Sequence, residues 1–412
     1  MREVKVLGVG VTPFGRYLDK SLKDLAGPAC QAAFADAGIS PRQLEGVYVS
    51  NALAGIITGQ ECIRGQVMLS PLGITDIPII NVDNADAGGG TAFHLAWLAV
   101  SSGQCDVALA LGVEKMCLPD KYKSFNAIAA TMDIEQINAF LSFRKEYEAS
   151  LSGKLPGDLI PGGISHRSIF MDYYAITART HMEKYGSTQK QLALISQKNH
   201  YHGSLNPQAR YSRPYTIEEI LSSPLVIYPL TRLMCSTIGD GAAAAVVSSS
   251  EFATRVNARR PVTVAASVVG SGMDRPVEGP DIIGRVGRRA FEKAGIGPED
   301  ISVAELHDPT VFGEVQACEE LGFCPVGEGP HFGAEGHTRL GGRLPINTSG
   351  GLESNSHPVA ASGLAKIVEV TRQLRGQAEK RQVEGARVGL THSSGGAIGT
   401  EAAAMSVHIF KV

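Results

Sequence analysis

The 412-residue chain has a net charge of −3, a pI near 6.4, 43% hydrophobic residues and 19% charged residues. This composition is typical of a globular protein rather than a disordered one, and the length predicts two or three compact units. The chain has no surplus of basic residues, which argues against a nucleic acid or an anionic membrane as its partner.

The sequence shows no pattern of a membrane protein or a secreted protein. No stretch reaches about 18 uninterrupted apolar residues, the length that crosses a bilayer, and the first 15 residues lack the apolar core of a signal peptide. Seven cysteines are dispersed without a CxxC pair or a metal-like cluster, which is the usage of a reducing compartment. We therefore expect a cytoplasmic protein with no membrane insertion and no metal site.

Two segments far apart in the chain repeat one pattern. Residues 32–49 read AAFADAGISPRQLEGVYV, and residues 289–306 read RAFEKAGIGPEDISVAEL. Each copy predicts an amphipathic helix that ends at a glycine, then a turn containing proline, then a strand. A glycine-rich turn, a second helix and an apolar strand are predicted after each copy. The repeat therefore predicts two α/β halves of similar order with mixed sheets.

The first of these glycine-rich turns contains an acid. The strand-like residues 77–80 lead into NVDNADAGGG at 81–90, and a helical run, TAFHLAWLAVSSG, follows. Asp86 lies at this junction. Two interpretations stay open: Asp86 is a helix N-cap, which satisfies free backbone donors, or it is a functional carboxylate.

A polar stretch separates the two halves. It is rich in Tyr, Asn, Gln, His and Pro, and it contains helix-like pieces such as MDYYAITARTHMEKYG and TQKQLALISQKNHYH. We interpret it as an insertion that folds over the first half. The predicted domains are a first half at 1–117 and 226–250, an inserted loop domain at 118–225, and a second half at 261–412.

Six stretches together resemble the thiolase superfamily, in particular its sterol-carrier-protein thiolase branch. They are residues 101–116, 204–230, 235–247, 305–324, 347–376 and 391–396. The resemblance runs from end to end. It implies an α/β thiolase fold with duplicated α/β halves in a layered αβαβα arrangement and an inserted loop domain.

The chain departs from this family at the nucleophile. Asn84-Ala85-Asp86-Ala87-Gly88-Gly89 stands where these thiolases have a pattern like Asn-Ala-Cys-x-Ser-Gly. Ser393 or Ser394 stands at the family's second reactive cysteine. A carboxylate, with an ordinary pKa of about 3.9, is a weak nucleophile toward thioesters, and its mixed anhydride returns an acyl group to CoA poorly. We therefore predict that Asp86 is a general base.

The resemblance also implies the rest of the site. His357, in SHPVAASG, matches the family's Gly-His-Pro histidine, which helps to hold the thioester oxygen. His307 and Asp308 stand where sterol-carrier thiolases have a His-Asp pair that would position a water or a substrate oxygen. The backbone N–H groups of Gly395 and Gly396 are expected to bind the substrate as a second oxyanion site.

Enolate stabilisation without an acyl-accepting cysteine predicts a carbon–carbon lyase. The expected reaction is a retro-aldol cleavage of a 3-hydroxyacyl-CoA, with CoA as part of the substrate and no separate cofactor. This resembles the steroid side-chain aldolases, although their tyrosine-containing motif is absent from NSHPVA at 355–360. One alternative is an acyl-CoA acyltransferase of the thiolase type, in which Asp86 replaces a natural cysteine. Another is a non-catalytic, CoA-binding scaffold subunit.

Two kinds of protein partner are expected. This fold exposes a sheet edge in its first half, which predicts a homodimer formed there. The resemblance implies a small zinc-and-OB-fold partner protein of the DUF35 type.

Four further side chains have open interpretations. His200 and His202 have no third metal ligand nearby and are expected on a surface loop. Cys62 is an outside candidate for a nucleophile. Ser393 belongs to Ser-Ser-Gly-Gly, which is functional or is ordinary turn chemistry.

Overall fold

A computed structural model describes residues 1–150, 167–273, 281–399 and 401–412. The strands are β1 (Val4–Val11), β2 (Gly46–Ser50), β3 (Ile79–Val82), β4 (Val107–Glu114), β5 (Leu225–Ile227), β6 (Leu230–Thr231), β7 (Gly241–Ser249), β8 (Val262–Ser271), β9 (Val303–Glu305), β10 (Val388–Gly395) and β11 (Ala404–Lys411).

The helices are α1 (Leu22–Ala37), α2 (Ala54–Thr58), α3 (Arg64–Leu69), α4 (Gly88–Ser102), α5 (Lys121–Ala129), α6 (Ile137–Ser150), α7 (Ile169–Tyr185), α8 (Gln189–Ser204), α9 (Ile217–Ser222), α10 (Ser250–Arg255), α11 (Ile282–Ala294), α12 (Val311–Glu320), α13 (Gly329–Ala334), α14 (Gly351–Asn355) and α15 (Val359–Arg375). Within the described ranges, no helix combines the length and the apolar character needed to span a bilayer.

Nine of the described strands form one mixed sheet in the order β3-β2-β4-β7-β1-β8-β11-β10-β9. Strands β1 and β8 join the two halves through two paired positions, Lys5 with Thr263 and Val6 with Val262. On either side of this joint the order is the same, because β1, β7, β4 and β2 correspond to β8, β11, β10 and β9. The sheet therefore has the duplication that the repeat predicted.

The two copies of the repeat fold alike. Helix α1 ends at Gly38 with φ 67°, a 3-10 turn spans Pro41–Gln43, and β2 follows. Helix α11 ends at Gly295 with φ 69°, a 3-10 turn spans Pro298–Asp300, and β9 follows. The left-handed φ at each helix end is readily adopted only by glycine.

Helices α4 and α15 lie between the halves. Phe93 and Trp97 of α4 share a buried cluster with Leu364 and Ile367 of α15. Helix α1 packs on the outer face of the first-half strands, and α11 packs on the outer face of the second-half strands. The result is the layered αβαβα thiolase fold, as predicted.

A close contact between α4 and α15 explains part of the glycine run at 88–90. A Cβ atom added to Gly89 would lie 2.6 Å from the Ala360 carbonyl oxygen, and one on Gly363 would lie 2.9 Å from the Gly90 nitrogen. Larger side chains would push the two helices apart. This contact sets the positions of both helix starts, where the candidate site lies.

The prediction that the insertion folds over the first half holds for α5, which contacts α2, but it is wrong for α7 and α8, which pack on the second half. Helices α7 and α8 coincide with the two helix-like pieces predicted in the sequence, and Tyr174 and Leu192 on them share a cluster with Val315 of α12. Met234, which the predicted boundaries place in the first half, belongs to the same cluster as these insertion residues. The boundaries of the insertion therefore stay a prediction. Residues 151–166 of the insertion lie outside the described residues.

The prediction that His200 and His202 lie on a surface loop is wrong. Both belong to α8, and both are fully buried. His200 Nε2 lies 2.8 Å from the Leu233 carbonyl, and His202 Nδ1 lies 3.1 Å from the Asn347 carbonyl. Hydrogen bonds to carbonyl groups of distant segments offset the free-energy cost of burying both rings. The local sequence pattern does not contain these partners.

Strand β3 forms an outer edge of the sheet, and its Ile80 side chain is exposed. We expect two chains to associate through this half, since an unpaired edge is a site of further pairing. Sedimentation should detect a species of about twice 43.5 kDa. A 43.5 kDa monomer at micromolar concentration would contradict the predicted homodimer.

Candidate active site

The predicted site residues come from three separate connections in the fold. Asp86 lies in a 3-10 turn, Ala85–Ala87, between β3 and α4. His307 follows β9 closely, and His357 lies between α14 and α15. All three side chains line one cavity of about 360 Å³.

Asp86 and His357 form the closest pair in the site. The His357 Nε2 atom lies 2.7 Å from Asp86 Oδ1, and the two side chains are 11% and 15% exposed. On the other side of the ring, Nδ1 lies 2.8 Å from the Ser362 hydroxyl, which donates to the Pro358 carbonyl at 2.9 Å. With that hydroxyl proton engaged, Nδ1 donates to Ser362. For the 2.7 Å contact between Nε2 and Asp86 Oδ1 to be a hydrogen bond, one of these two atoms must also carry a proton.

The interpretation of Asp86 as a helix N-cap is wrong. The cap position of α4 is Ala87, which makes no side-chain capping hydrogen bond. The second carboxylate oxygen of Asp86 faces the Gly396 backbone N–H at 3.5 Å instead. The side chain therefore faces the cavity and the second half, and its own helix does not require it.

The backbone is strained directly before both members of the pair. Ala85 has φ 46° and Ser356 has φ 81°, both unusual for residues with a side chain. Such positions cost about 1–3 kcal/mol each and persist only where the surrounding structure holds them. Holding Asp86 and His357 in contact therefore lowers the free energy of unfolding at these two positions.

His307 lies beside this pair, and its burial favours the neutral ring. Its ring centroid is 5.4 Å from that of His357 in an edge-to-face arrangement, and its Nδ1 atom lies 3.3 Å from the Lys366 amine. Burial, followed by the charges of Lys366 and His357, holds the pKa of His307 well below its usual range. A neutral imidazole exposes one ring nitrogen as an acceptor or ligand.

Lys366 was missed by the sequence analysis. It belongs to α15, is buried, and donates to Ser393 Oγ at 3.2 Å. Burial lowers its pKa to about 8, although the nearby Asp308, Glu305 and Asp86 carboxyl groups oppose this shift. The local signal was a stripe of polar residues at helical spacing, in which Lys366 lies between Ser362 and Glu369.

Asp308 is fully buried and does not line the cavity. One of its oxygens accepts from the Leu352 N–H at 2.9 Å, and its other oxygen has no hydrogen-bond partner within the described part of the chain. Burial and the nearby Glu353 raise its pKa well above the usual range. The geometry places Asp308 behind His307, where it does not contact a molecule in the cavity.

The predicted serine and glycines lie at the end of β10. Ser393 is inside the strand, opposite Ser406 of β11, so it does not form a turn. Its hydroxyl accepts from Lys366, and it does not line the cavity, whereas Ser394 and Gly396 do. Gly395 ends the strand, and a Cβ there would lie 2.6 Å from the Ala87 nitrogen.

The cavity is mostly apolar away from the Asp86–His357 pair. Its wall includes aromatic side chains of α5 and α7, namely Phe125, Phe170, Tyr173 and Tyr174. Five cations also line it, namely Arg16, Lys121, Arg167, Arg210 and Arg232, of which all but Arg167 are exposed. A mostly apolar wall that also carries several cations suits a molecule with an apolar part and an anionic part.

Comparisons with known proteins identify the family. The thiolase N-terminal domain profile matches residues 4–221, and a thiolase C-terminal domain-like profile matches residues 277–408. An acetyl-CoA acetyltransferase of Methanothermobacter thermautotrophicus is 39% identical, with all of both chains covered. The chain belongs to the thiolase family.

Other relatives of this thiolase-family protein differ in their assigned roles. The benzoylsuccinyl-CoA thiolase subunit BbsB of Thauera aromatica is 35% identical, with 96% of this chain and 95% of the relative covered. Sterol carrier protein 2 of Bos taurus is 36% identical over 95% of this chain and 70% of its own length. These matches confirm the predicted resemblance to sterol-carrier-type thiolases.

The fold of this thiolase-family protein is also found in solved structures. That of the Ltp2-ChsH2(DUF35) aldolase superposes with a TM-score of 0.78, at 24% identity over all of this chain and 98% of the other. At this identity the match shows the fold alone.

No cysteine of this thiolase-family protein is placed as an activated nucleophile. All seven are free, and only Cys62 is exposed. Cys117 and Cys235 line the cavity, but burial raises the pKa of Cys117 to about 12 and raises that of Cys235 further. Thiols with raised pKa react slowly because the thiolate is the nucleophile.

We therefore expect iodoacetamide to modify Cys62 without loss of activity. Cys62 does not line the cavity, so the label should leave the substrate site open. Peptide mapping after partial and full labelling, with activity measured at each stage, tests this expectation. Rapid stoichiometric inactivation, with the label on Cys117 or Cys235, would contradict it.

Proposed function

We propose that this protein cleaves a carbon–carbon bond next to an acyl-CoA thioester by a retro-aldol reaction on a 3-hydroxyacyl-CoA. The observation that supports the proposal is the 2.7 Å contact between Asp86 and His357 at the wall of an apolar cavity. This pair offers a base and a hydrogen-bond donor, and it offers no soft nucleophile.

The proposed step moves one proton and breaks one bond. The Asp86 oxygen that does not contact His357 accepts the proton of the 3-hydroxyl group. The hydroxyl oxygen of the substrate becomes a carbonyl oxygen in the same step. The Cα–Cβ bond breaks, and its electron pair forms the enolate of the departing acyl-CoA. His357 Nε2–H donates to the thioester oxygen, where the negative charge develops. Asp86 then returns the proton to Cα, which leaves an acyl-CoA and an aldehyde or ketone.

The charges that line the cavity support CoA as part of the substrate. Arg16, Lys121 and Arg232 are all exposed. Phosphate groups bind well to such cations through charge-assisted hydrogen bonds. The apolar wall near Phe125 and Phe170 would hold the acyl chain.

Product analysis tests the reaction directly. Purified protein is incubated with 3-hydroxyacyl-CoAs and 3-oxoacyl-CoAs of several chain types, with and without free CoA, and the products are identified by mass. A shorter acyl-CoA and a carbonyl compound formed from the 3-hydroxyacyl-CoA without free CoA support the proposal. Cleavage of the 3-oxoacyl-CoA that depends on free CoA would replace it with the acyltransferase alternative.

The acyltransferase alternative has a specific test, the variant Asp86→Cys. The new thiol would lie beside His357 Nε2, which would activate it as a nucleophile. We expect this variant to form an acyl-enzyme, visible as a mass increase on residue 86, and to lose retro-aldol activity. Thiolysis by the unaltered protein at a rate equal to that of the variant would show that the residue 86 thiol is not needed, and would contradict the proposed role of Asp86.

We also propose that the chain binds a small partner protein and that it resides in the cytoplasm. BbsB is named as a subunit, and the aldolase in the solved structure is named with a DUF35 protein, which supports a small zinc-and-OB-fold partner here. The seven free cysteines support the cytoplasm. Purification from the native host should recover such a partner with the chain. Recovery of the chain without any such polypeptide would count against the partner.

A further inference from the structure

The Asp86–His357 pair has a third member that the proposed mechanism does not use. One ligand atom from each of Asp86, His307 and His357 lies within 4.8 Å of the others. His307 is 5% exposed and His357 is 9% exposed. Three donors from three separate segments, two of them buried and Asp86 partly buried, therefore converge on one side of the cavity.

We propose that Asp86, His307 and His357 bind a divalent transition-metal ion of the zinc class. Two imidazole nitrogens and one carboxylate oxygen form a donor set that zinc uses in catalytic sites, where a fourth position stays open. Here the fourth position faces the cavity, since all three side chains line it. The cysteine at this turn in related thiolases would supply a different donor, so Asp86 gives this chain its own ligand set.

The distances fit an ion after small side-chain rotations. In a tetrahedral site with zinc–ligand distances of 2.0–2.1 Å, neighbouring ligand atoms lie about 3.3 Å apart. The Asp86–His357 contact of 2.7 Å is shorter than this value, and the 4.8 Å limit for the group is longer. An ion would separate the first pair slightly and draw His307 inward.

Each of the two rings is held through its Nδ1 atom. His357 contacts Ser362 through Nδ1, and His307 contacts Lys366 through Nδ1. The Nε2 atom of each ring therefore faces the cavity, and that of His307 has no hydrogen bond to any residue in the described ranges. His357 has the usual arrangement of a metal-binding histidine, whose other ring nitrogen donates to a neighbouring acceptor. In His307 an ion would take the Nε2 lone pair, and the ring proton would then lie on Nδ1, facing Lys366.

The ion would deepen the proposed reaction, and its catalytic role rests on that proposal. It would hold the thioester oxygen while the Cα–Cβ electron pair moves into the enolate, a task given above to His357 Nε2–H. The oxygen of Asp86 that does not bind the ion would still accept the hydroxyl proton. No further reactant is needed, because the ion is not consumed.

The binding test uses the full-length protein after chelator treatment and dialysis. Zinc is titrated by calorimetry, and cobalt(II) is added separately to record its absorption spectrum. An exposed group, His331 and His337 around Glu335, is a source of weak surface binding. The background protein carries His331→Ala and His337→Ala, which remove that source, and also Cys62→Ser, which removes the exposed thiol.

In this background we expect one bound ion per chain, with affinity lowered at least about 100-fold by His307→Ala or by Asp86→Ala. Loss of an orienting partner alone costs roughly 10- to 100-fold, so Ser362→Ala should have a smaller effect. The cobalt spectrum should be that of a tetrahedral ion and should vanish in His307→Ala. An absence of binding in the background, or binding unaffected by both variants, would overturn the site.

Activity separates this proposal from the proposed function. Retro-aldol cleavage by protein shown to be metal-free would overturn the catalytic role of the ion and leave the reaction intact. One bound zinc ion per chain without cleavage of any 3-hydroxyacyl-CoA would support the site and overturn the reaction.

Discussion

Replacement of His357 by alanine is expected to lower the rate of 3-hydroxyacyl-CoA cleavage by roughly 100- to 1000-fold, or about 2.7–4 kcal/mol. The negative charge of the enolate develops on the thioester oxygen, so a group placed there stabilises the transition state more than the ground state. His357 is the residue that contacts both Asp86 and the cavity. The same loss is expected if His357 acts by holding an ion.

The matched control for His357→Ala is Ser393→Ala. Ser393 is buried in β10, contacts Lys366 and does not line the cavity, so its loss should change the rate much less. Single-turnover rates with saturating substrate separate this effect from substrate binding. Equal losses in the two variants, with unfolding temperatures unchanged, would contradict the role given to His357.

The second large effect is expected for Asp86→Asn. Asparagine keeps the size of the side chain and can still contact His357 Nε2, but it cannot accept the hydroxyl proton as a carboxylate does. General base catalysis contributes roughly 100- to 10,000-fold, so the cleavage rate should fall by that amount. Folding should persist, because Asp86 does not cap α4.

Asp83→Asn is the matched control for Asp86→Asn. Asp83 precedes the same turn, is exposed, and accepts from the Ala85 N–H at 3.0 Å, a role that asparagine can fill. Its activity should stay close to that of the unaltered protein. If Asp86→Asn is fully active and His357→Ala is equally harmless, the site is wrong and the scaffold alternative takes its place.

Much of the fold was predictable because its signals are local. The helix that ends at glycine, the proline-containing turn and the strand occur twice, and each signal lies within about 18 residues of sequence. Helix α8 was predicted from its periodicity, yet the burial of His200 was not. Burial depends on the Leu233 carbonyl and the Ser354 hydroxyl, which the local pattern of the helix does not contain.

The candidate site was only partly predictable for the same reason. The match to thiolase motifs marked Asp86 and His357 as functional positions, but a motif does not contain a distance. Lys366 carries no motif, and its lowered pKa follows from burial within the folded chain. Asp308 was predicted through its neighbour His307, and the fold points it away from the cavity.

The sequence by itself predicted the family, through its match to thiolase motifs, and the duplicated halves, through a repeated local pattern. Both depend on residue order, which unfolded and folded chains share. Only the tertiary structure decided that the Asp86 carboxylate contacts His357 rather than its own helix, and that His307 joins them. The reason is physical: the packing of α4 against α15 brings together two helix starts that are separated by most of the chain, and a side chain's partner is set by what lies within a few ångströms of it.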